Sequence, residues 1–162
     1  GWFSNEHQFA MGPFYVNAQG IRGFQIASPS IIGIRGVEVA FEMIEEAGIK
    51  QIQAKAAKGT DLMIELFDAW LAPLGFTLGT PREASRRGGH IIVIHKDAKQ
   101  IAVALRKLKN VIPDYREPGA IRLAISPLAT SYVEVYDGFE RLRDLVASGD
   151  YKEVQLDGNR VT

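Results

Sequence analysis

The sequence predicts an α+β fold in which a mainly antiparallel sheet is packed with helices. From Phe76 onward, short strand patterns and amphipathic helix patterns follow one another in the order β-β-α-β-β-α. Two long helical patterns precede this part, and an aromatic stretch without periodicity precedes both. Short strands with single helices between them are typical of a sheet that helices cover on one face.

The clearest strand covers residues 120–126. Ile121, Leu123 and Ile125 alternate with small or polar residues, which predicts a strand with one buried face. Pro127 ends it, because proline removes a backbone donor from the ladder. Ser131 and Glu134 have the spacing of a capping box, and they predict a helix over residues 132–147.

The other elements of this part are shorter. Strands are predicted over residues 76–80, 90–95 and 111–115, and Pro113 places the last of them at an edge or a bulge. A helix is predicted over residues 97–109, with a capping box formed by Asp97 and Gln100. The loop of residues 81–89 joins the first two strands.

Two long helices are expected upstream, over residues 30–47 and 49–71. Ser28 and Pro29 are interpreted as the N-cap and the first-turn proline of the first helix, whose apolar surface suggests burial between layers. Gly59 permits a bend in the second helix. Residues 23–27 are predicted to form a short strand.

Residues 1–20 are rich in aromatic side chains and are interpreted as an extended arm. So many rings need another surface to cover them, so self-association or disorder of this arm is expected without one. The predicted organisation therefore has four segments: arm and strand (1–29), connecting helices (30–72), an α+β lobe (73–149) and a tail (150–162) whose last six residues are frayed.

Composition excludes several classes of protein. The chain has 162 residues, as many acidic as basic side chains and no cysteine. Zero net charge argues against a nucleic-acid or anionic membrane surface, and the lack of cysteine rules out disulfides and thiolate metal sites. The sequence shows no membrane-spanning segment or signal peptide, so a cytoplasmic location is expected.

Arg122 is the first candidate for a functional side chain. It lies in the middle of a predicted strand, and its neighbours on the same face are Ala120 and Ala124. A partly buried guanidinium needs an anion, and its planar shape suits a carboxylate. Spacing alone favours an internal ion pair or a solvated face, and a clamp for a ligand carboxylate is the alternative.

Other candidates are weaker on spacing alone. The hydroxyl of Ser28 near a helix start could bind phosphate, although simple capping is favoured. Residues 86–89 (Arg-Arg-Gly-Gly) could bind an anion, although a solvated turn is favoured. The three histidines, His7, His90 and His95, have no metal-binding spacing, so no metal site is expected.

Several motifs together resemble the C-terminal part of kynureninases. In chain order these are Gly1-Trp2-Phe3, residues 23–29 (GFQIASP), residues 87–90 (RGGH), residues 111–116 (VIPDYR), Ile121-Arg122 and Pro127-Leu128. The resemblance covers roughly residues 1–147. It implies the C-terminal small lobe of a fold-type I pyridoxal phosphate enzyme, active as a homodimer, that hydrolyses kynurenine to anthranilate and alanine.

The resemblance also implies roles for four residues. Trp2 would bind the cofactor phosphate across the dimer interface, and Ser28 could bind phosphate or substrate. Phe3 would lie near the substrate ring, and Arg122 would bind the α-carboxylate of a kynurenine-like amino acid. With this resemblance, the ligand roles of Arg122 and Ser28 become the favoured ones.

The sequence also departs from the family pattern. Ser4 and Asn5 stand where the family often has Gly-His, and Ser30 stands where it has a second proline. No lysine has the setting of the cofactor lysine, so we expect that the large N-terminal domain is missing and that this chain alone is inactive. A related class V aminotransferase or desulfurase, or a freestanding binding domain, remains an alternative.

Overall fold

The computed structural model describes residues 2–156 and divides the chain into two compact units, residues 1–46 and 47–162. This boundary falls at the end of the first long helix, inside the segment 30–72 that the sequence predicts as one. The helices are α1 (Ile31–Ala47), α2 (Ile49–Leu66), α3 (Ala98–Lys109) and α4 (Tyr132–Ser148). The strands are β1 (Thr77–Leu78), β2 (His90–Ile94), β3 (Asp114–Arg116) and β4 (Ala120–Ala124).

The second unit has the predicted α+β architecture. Its four strands pair in the order β1-β2-β4-β3, and all three pairings are antiparallel. The β-β-α-β-β-α order is therefore confirmed, and β3 lies at the edge of the sheet as Pro113 indicated. The antiparallel pairing places residues 122 of β4 and 92 of β2 opposite each other at the centre of the sheet.

The two faces of the sheet differ in chemistry. Ile91, Val93 and Ile121 are fully buried and belong to one core with side chains of α2, α3 and α4. Strand alternation places the intervening residues on the opposite surface, which we call the outer face. Its members from the paired strands are His90, Ile92, Ile94, Asp114, Arg116, Ala120, Arg122 and Ala124.

Gly59 sets how closely α2 approaches the end of β4. A Cβ atom at this position would lie 2.6 Å from Cδ1 of Ile125, which is itself buried. The glycine therefore serves close packing, and α2 runs through it as one helix. The helical path then continues as a π-helical turn over Phe67–Leu71 and a 3₁₀ turn over Ala72–Leu74.

The two predicted capping boxes have opposite outcomes. The one that begins α4 is confirmed: the Ser131 hydroxyl accepts from the Glu134 N–H, and the Glu134 carboxylate accepts from the Ser131 N–H. This backbone hydrogen bond, with a second from the Ser131 hydroxyl, lowers the pKa of Glu134.

The box predicted at the start of α3 is wrong. Asp97 instead accepts a 3.0 Å hydrogen bond from the hydroxyl of Tyr151, and Gln100 donates to the carbonyls of Lys152 and Val154. Tyr151 is only 5% exposed and belongs to the core. The segment directly after α4, which was predicted as a tail, is therefore packed against the second unit at Tyr151. The fraying expected for residues 157–162 lies outside the described residues.

The start of the first unit closes on itself instead of extending. Asn5 and Asn17 form an antiparallel bridge, and the Ala18 N–H donates to the Ser4 carbonyl over 2.8 Å. Ser4 and Ala18 are both almost fully buried. The predicted extended arm is therefore wrong in its path, because backbone pairing between its two halves satisfies donors and acceptors that an extended chain would leave to water.

The chain before α1 also differs from the prediction. A 3₁₀ turn over Gly20–Phe24 replaces the strand expected over residues 23–27, and a Cβ at Gly23 would lie 2.7 Å from the Ala18 carbonyl oxygen. Among the described residues, none of the strand pairings involves residues 23–27. The hydroxyl of Ser30, not that of Ser28, accepts from the N–H of Gly33 at the start of α1.

Helix α1 confirms its predicted span but not its predicted burial. None of its residues is buried, and Ile31, Ile32 and Phe41 are 83%, 87% and 63% exposed.

No helix among residues 2–156 combines the length and the apolar character that a bilayer crossing needs.

Candidate functional site

Arg122 projects from the outer face of the sheet, as the sequence analysis predicted from strand alternation. Its cross-strand neighbours are Ile92 on β2 and Asp114 on β3. Its side chain is 38% exposed, so solvent reaches it. The setting therefore allows an anion to approach it.

The guanidinium also has an internal partner. Nη2 of Arg122 lies 2.5 Å from Oδ2 of Asp114, which is the ion pair that spacing alone favoured. The Asp114 side chain is 27% exposed, so water reaches both members of the pair. Arg122 is thus already paired with a carboxylate and still partly open to solvent.

Asp114 is shared by a second guanidinium. Its Oδ2 atom accepts from Nε of Arg116 over 2.9 Å, and Nη2 of Arg116 lies 2.7 Å from the same oxygen. Two arginines therefore face one carboxylate, and this group of three side chains keeps one net positive charge. Partly exposed pairs of this kind contribute little to stability, so the cluster's main effect is on geometry and local charge.

Trp2 and Phe3 lie in the first unit, where the aromatic rings contact one another. The Trp2 ring packs edge-on against Phe3 and Phe9, with centroid distances of 5.6 and 5.9 Å. Nε1 of Trp2 donates a 2.6 Å hydrogen bond to the carbonyl of Gln8. The ring is 49% exposed, so its one polar group is occupied while much of its face remains open.

Ser28 belongs to the same unit and is exposed in the segment that precedes α1. Its predicted role as the helix cap is wrong, because Ser30 takes that position. The Ser28 hydroxyl is therefore not required for capping. Arg122 belongs to the second unit.

The Arg-Arg-Gly-Gly segment has a structural explanation. The side chain of Arg87 is 1% exposed, and its Nε donates a 2.9 Å hydrogen bond to the hydroxyl of Thr60. Its two terminal nitrogens contact the carboxylate of Asp61 and the carbonyl of Arg82. Arg87 therefore links the loop before β2 to helix α2, and its guanidinium is engaged within the protein instead of forming an anion site. Arg86 and Gly88 of the same segment are exposed, as a solvated turn would be.

His95 is likewise part of the packing. It is 7% exposed, its ring lies 4.6 Å from that of Phe76, and its Nδ1 accepts from the N–H of Asp97. Burial lowers the pKa of His95, and the attraction of the Asp97 charge opposes this effect.

Residues 2–156 contain no group of three or more histidine or acidic side chains placed to hold a metal ion.

Sequence reasoning missed the specific partner of Arg122. Asp114 lies within the motif of residues 111–116, but its register opposite Arg122 depends on how two strands pair. The available signal was the short connection between the predicted edge strand and the Arg122 strand, which favours a hairpin. Counting back from the turn would have placed residues 114 and 122 opposite each other.

Comparison with known families identifies the class to which this lobe belongs. Residues 52–142 match the family model described as "Kynureninase C-terminal domain", which is more than half of the chain. The chain therefore belongs to the kynureninase family. The matched region contains most of α2, all of α3, the whole sheet, Asp114 and Arg122.

Individual relatives agree with this assignment. The chain is 37% identical over 155 residues to a kynureninase of Shouchella clausii, 34% over 157 residues to one of Bacillus anthracis, and 33% over 155 residues to one of Geobacillus thermodenitrificans. These alignments cover 94%, 96% and 94% of this chain, and 36% of each relative. The chain thus spans about a third of the length of these curated relatives.

Proposed function

We propose that this chain provides the C-terminal lobe of a pyridoxal phosphate-dependent hydrolase that cleaves kynurenine to anthranilate and alanine. The match of residues 52–142 to the kynureninase C-terminal domain carries the proposal. We also propose that the chain has no turnover alone and works with a large domain in a homodimer. The share of the relatives that it spans, 36%, supports a division of the active site between segments.

In this proposal Arg122 binds the α-carboxylate of the amino-acid substrate. The residue lies on the outer face of the sheet, is 38% exposed, and belongs to a cluster with a net positive charge. A planar guanidinium can donate two parallel hydrogen bonds to a carboxylate, which fixes both position and direction. The contact with Asp114 leaves other N–H groups of the guanidinium for this purpose.

Trp2 and Ser28 would donate hydrogen bonds to the cofactor phosphate, and Phe3 would lie beside the substrate ring. An indole N–H and a hydroxyl are neutral donors that suit phosphate oxygens, so the donor chemistry fits this group. The Trp2 N–H would exchange its present acceptor, the Gln8 carbonyl, for a phosphate oxygen. Residues 1–46 contain no lysine, so this unit offers donors for the phosphate but no amine for covalent attachment of the cofactor.

When bound, the cofactor supplies an electron sink for chemistry at the substrate Cα. The contribution of this chain is positional: Arg122 holds the carboxylate end of the substrate, and Phe3 limits where the aromatic end can lie. Such contacts raise the rate of the chemical step because they hold the reacting atoms in one orientation.

A hybrid enzyme tests the proposal. The part of the Shouchella clausii relative that precedes its 155-residue alignment with this chain is fused to this chain, and the hybrid is supplied with pyridoxal phosphate and kynurenine. We expect anthranilate release, followed by its fluorescence, from the hybrid and none from either part alone. A hybrid that folds and binds the cofactor but releases no anthranilate would refute the assigned activity, and release by this chain alone would refute the division of the site.

A further inference from the structure

Asp114 contacts Arg122 across the two strands that form the edge of the sheet. The two residues are direct register partners of β3 and β4, so the backbone itself brings their side chains together. The resulting Oδ2 to Nη2 distance is 2.5 Å. In the described part of the chain, Asp114 is the one acidic side chain paired with Arg122.

The side chains beside Arg122 on β4 and directly opposite it on β2 cannot orient it. Ala120 and Ala124 flank it along β4, and Ile92 lies opposite on β2. These side chains have no hydrogen-bonding groups, so they leave a long side chain free to choose among rotamers. Asp114 is the cross-strand partner of Arg122 that has a hydrogen-bonding side chain, and it contacts the guanidinium.

Arg116 changes what this pairing does to the local charge. A lone carboxylate beside Arg122 would neutralise it and repel an incoming carboxylate. Arg116 contacts the same Oδ2 atom, at 2.7 Å from Nη2, so the negative charge of Asp114 is shared between two guanidinium groups. The cluster keeps a net positive charge and a fixed geometry at once.

We infer that Asp114 is a positioning residue, which holds one side of the Arg122 guanidinium so that its other N–H groups face a substrate carboxylate. This inference rests on the proposed function of Arg122. It opposes a simple alternative, in which Asp114 occupies Arg122 and competes with the substrate. The two views predict opposite effects when the charge of Asp114 is removed.

The first experiment uses this chain alone and the variant Asp114→Asn, with Glu117→Gln as a control that removes one exposed negative charge nearby. Side-chain ¹⁵N NMR reports how fast the Arg122 guanidinium rotates. We expect restricted rotation in the parent chain and in Glu117→Gln, and averaged Nη signals in Asp114→Asn. Equal restriction in Asp114→Asn would overturn the inference, whether or not the hybrid enzyme is active.

The second experiment places the same variants in the hybrid enzyme and separates KM from kcat. We expect Asp114→Asn to raise the KM for kynurenine about tenfold with little change in kcat, and Glu117→Gln to leave both unchanged, because a positioning contact acts on carboxylate binding. An unchanged or lower KM in Asp114→Asn would support competition and overturn the inference. If the parent hybrid shows no turnover, the proposed function fails, and the NMR result still decides whether Asp114 holds Arg122.

Discussion

Replacing Arg87 by alanine should destabilise the second unit more than replacement of any single surface arginine. The side chain of Arg87 is almost fully buried and donates from three nitrogens, to Thr60, Asp61 and the carbonyl of Arg82. These contacts fasten the loop before β2 to α2. The alanine variant removes all three and leaves the buried stem's volume empty.

The magnitude follows from the environment of each acceptor. The hydrogen bonds to Thr60 and to the Arg82 carbonyl are worth about 1 kcal/mol each. The side chain of Asp61 is 54% exposed, so its ion pair adds well under 1 kcal/mol. Lost packing of the stem adds a further contribution, and we expect a total of about 3 kcal/mol.

Urea unfolding, followed by the fluorescence of Trp70, measures the loss of unfolding free energy in Arg87→Ala. Trp70 packs against Tyr136 and under Arg143, and in a Trp2→Phe background it is the one tryptophan left in the chain. A loss of about 3 kcal/mol should lower the midpoint by roughly 1.5–2 M for a typical m-value.

Two control variants separate the contributions of Arg87. Arg87→Lys keeps the charge but cannot reach three acceptors, so it should recover less than half of the loss, and Asp61→Asn should cost under about 1 kcal/mol. A loss below about 1 kcal/mol in Arg87→Ala would refute the reasoning. So would an Asp61→Asn variant as unstable as Arg87→Ala, because the ion pair would then carry the whole effect.

Two further predictions concern the packing of the same unit. Gly59→Ala should destabilise it by about 1 kcal/mol, because contact with Ile125 outweighs the gain in helix propensity. Gly138→Ala in α4 should stabilise it by about 0.5–1 kcal/mol, because beyond the nearby backbone of its own helix no atom lies within 4 Å of the added Cβ. Equal effects of the two variants in urea melts would contradict this account. Burial lowers the pKa of His95, so the unfolded chain binds its proton first, and stability should fall as the pH drops below about 6.5. His95→Gln should flatten this pH dependence and His90→Gln should retain it, and a profile that His95→Gln leaves unchanged would assign the effect to other groups.

The sheet and α4 could be predicted because their signals are local. The alternation of residues 120–126 and the capping box at Ser131 each depend on neighbours along the chain, and both are present in the structure. The capping contacts predicted for Asp97 and Ser28 are wrong, although the spans predicted for α1 and α3 agree with the structure. At Asp97 a distant residue, Tyr151, takes the carboxylate that the local pattern assigned to the cap.

The sequence could predict only part of the candidate site. Strand alternation placed Arg122 on the outer face, and the family resemblance suggested a ligand for it. The identity of Asp114 as its partner depends on strand register, and the burial of Arg87 depends on contacts with α2, 26 and 27 residues away. The turn between β3 and β4 could have indicated that register, whereas the contacts of Arg87 become visible only when the fold is known.

The binding of the substrate carboxylate by Arg122 is the central claim, and KM in the hybrid enzyme tests it most directly. Arg122→Ala should raise the KM for kynurenine about 100-fold, the cost of losing a charge-assisted pair, while Trp70 fluorescence shows an intact fold. Arg116→Ala provides the control, with a much smaller rise. A KM within about threefold of the parent hybrid, or an Arg122→Ala chain that no longer folds, would contradict the claim.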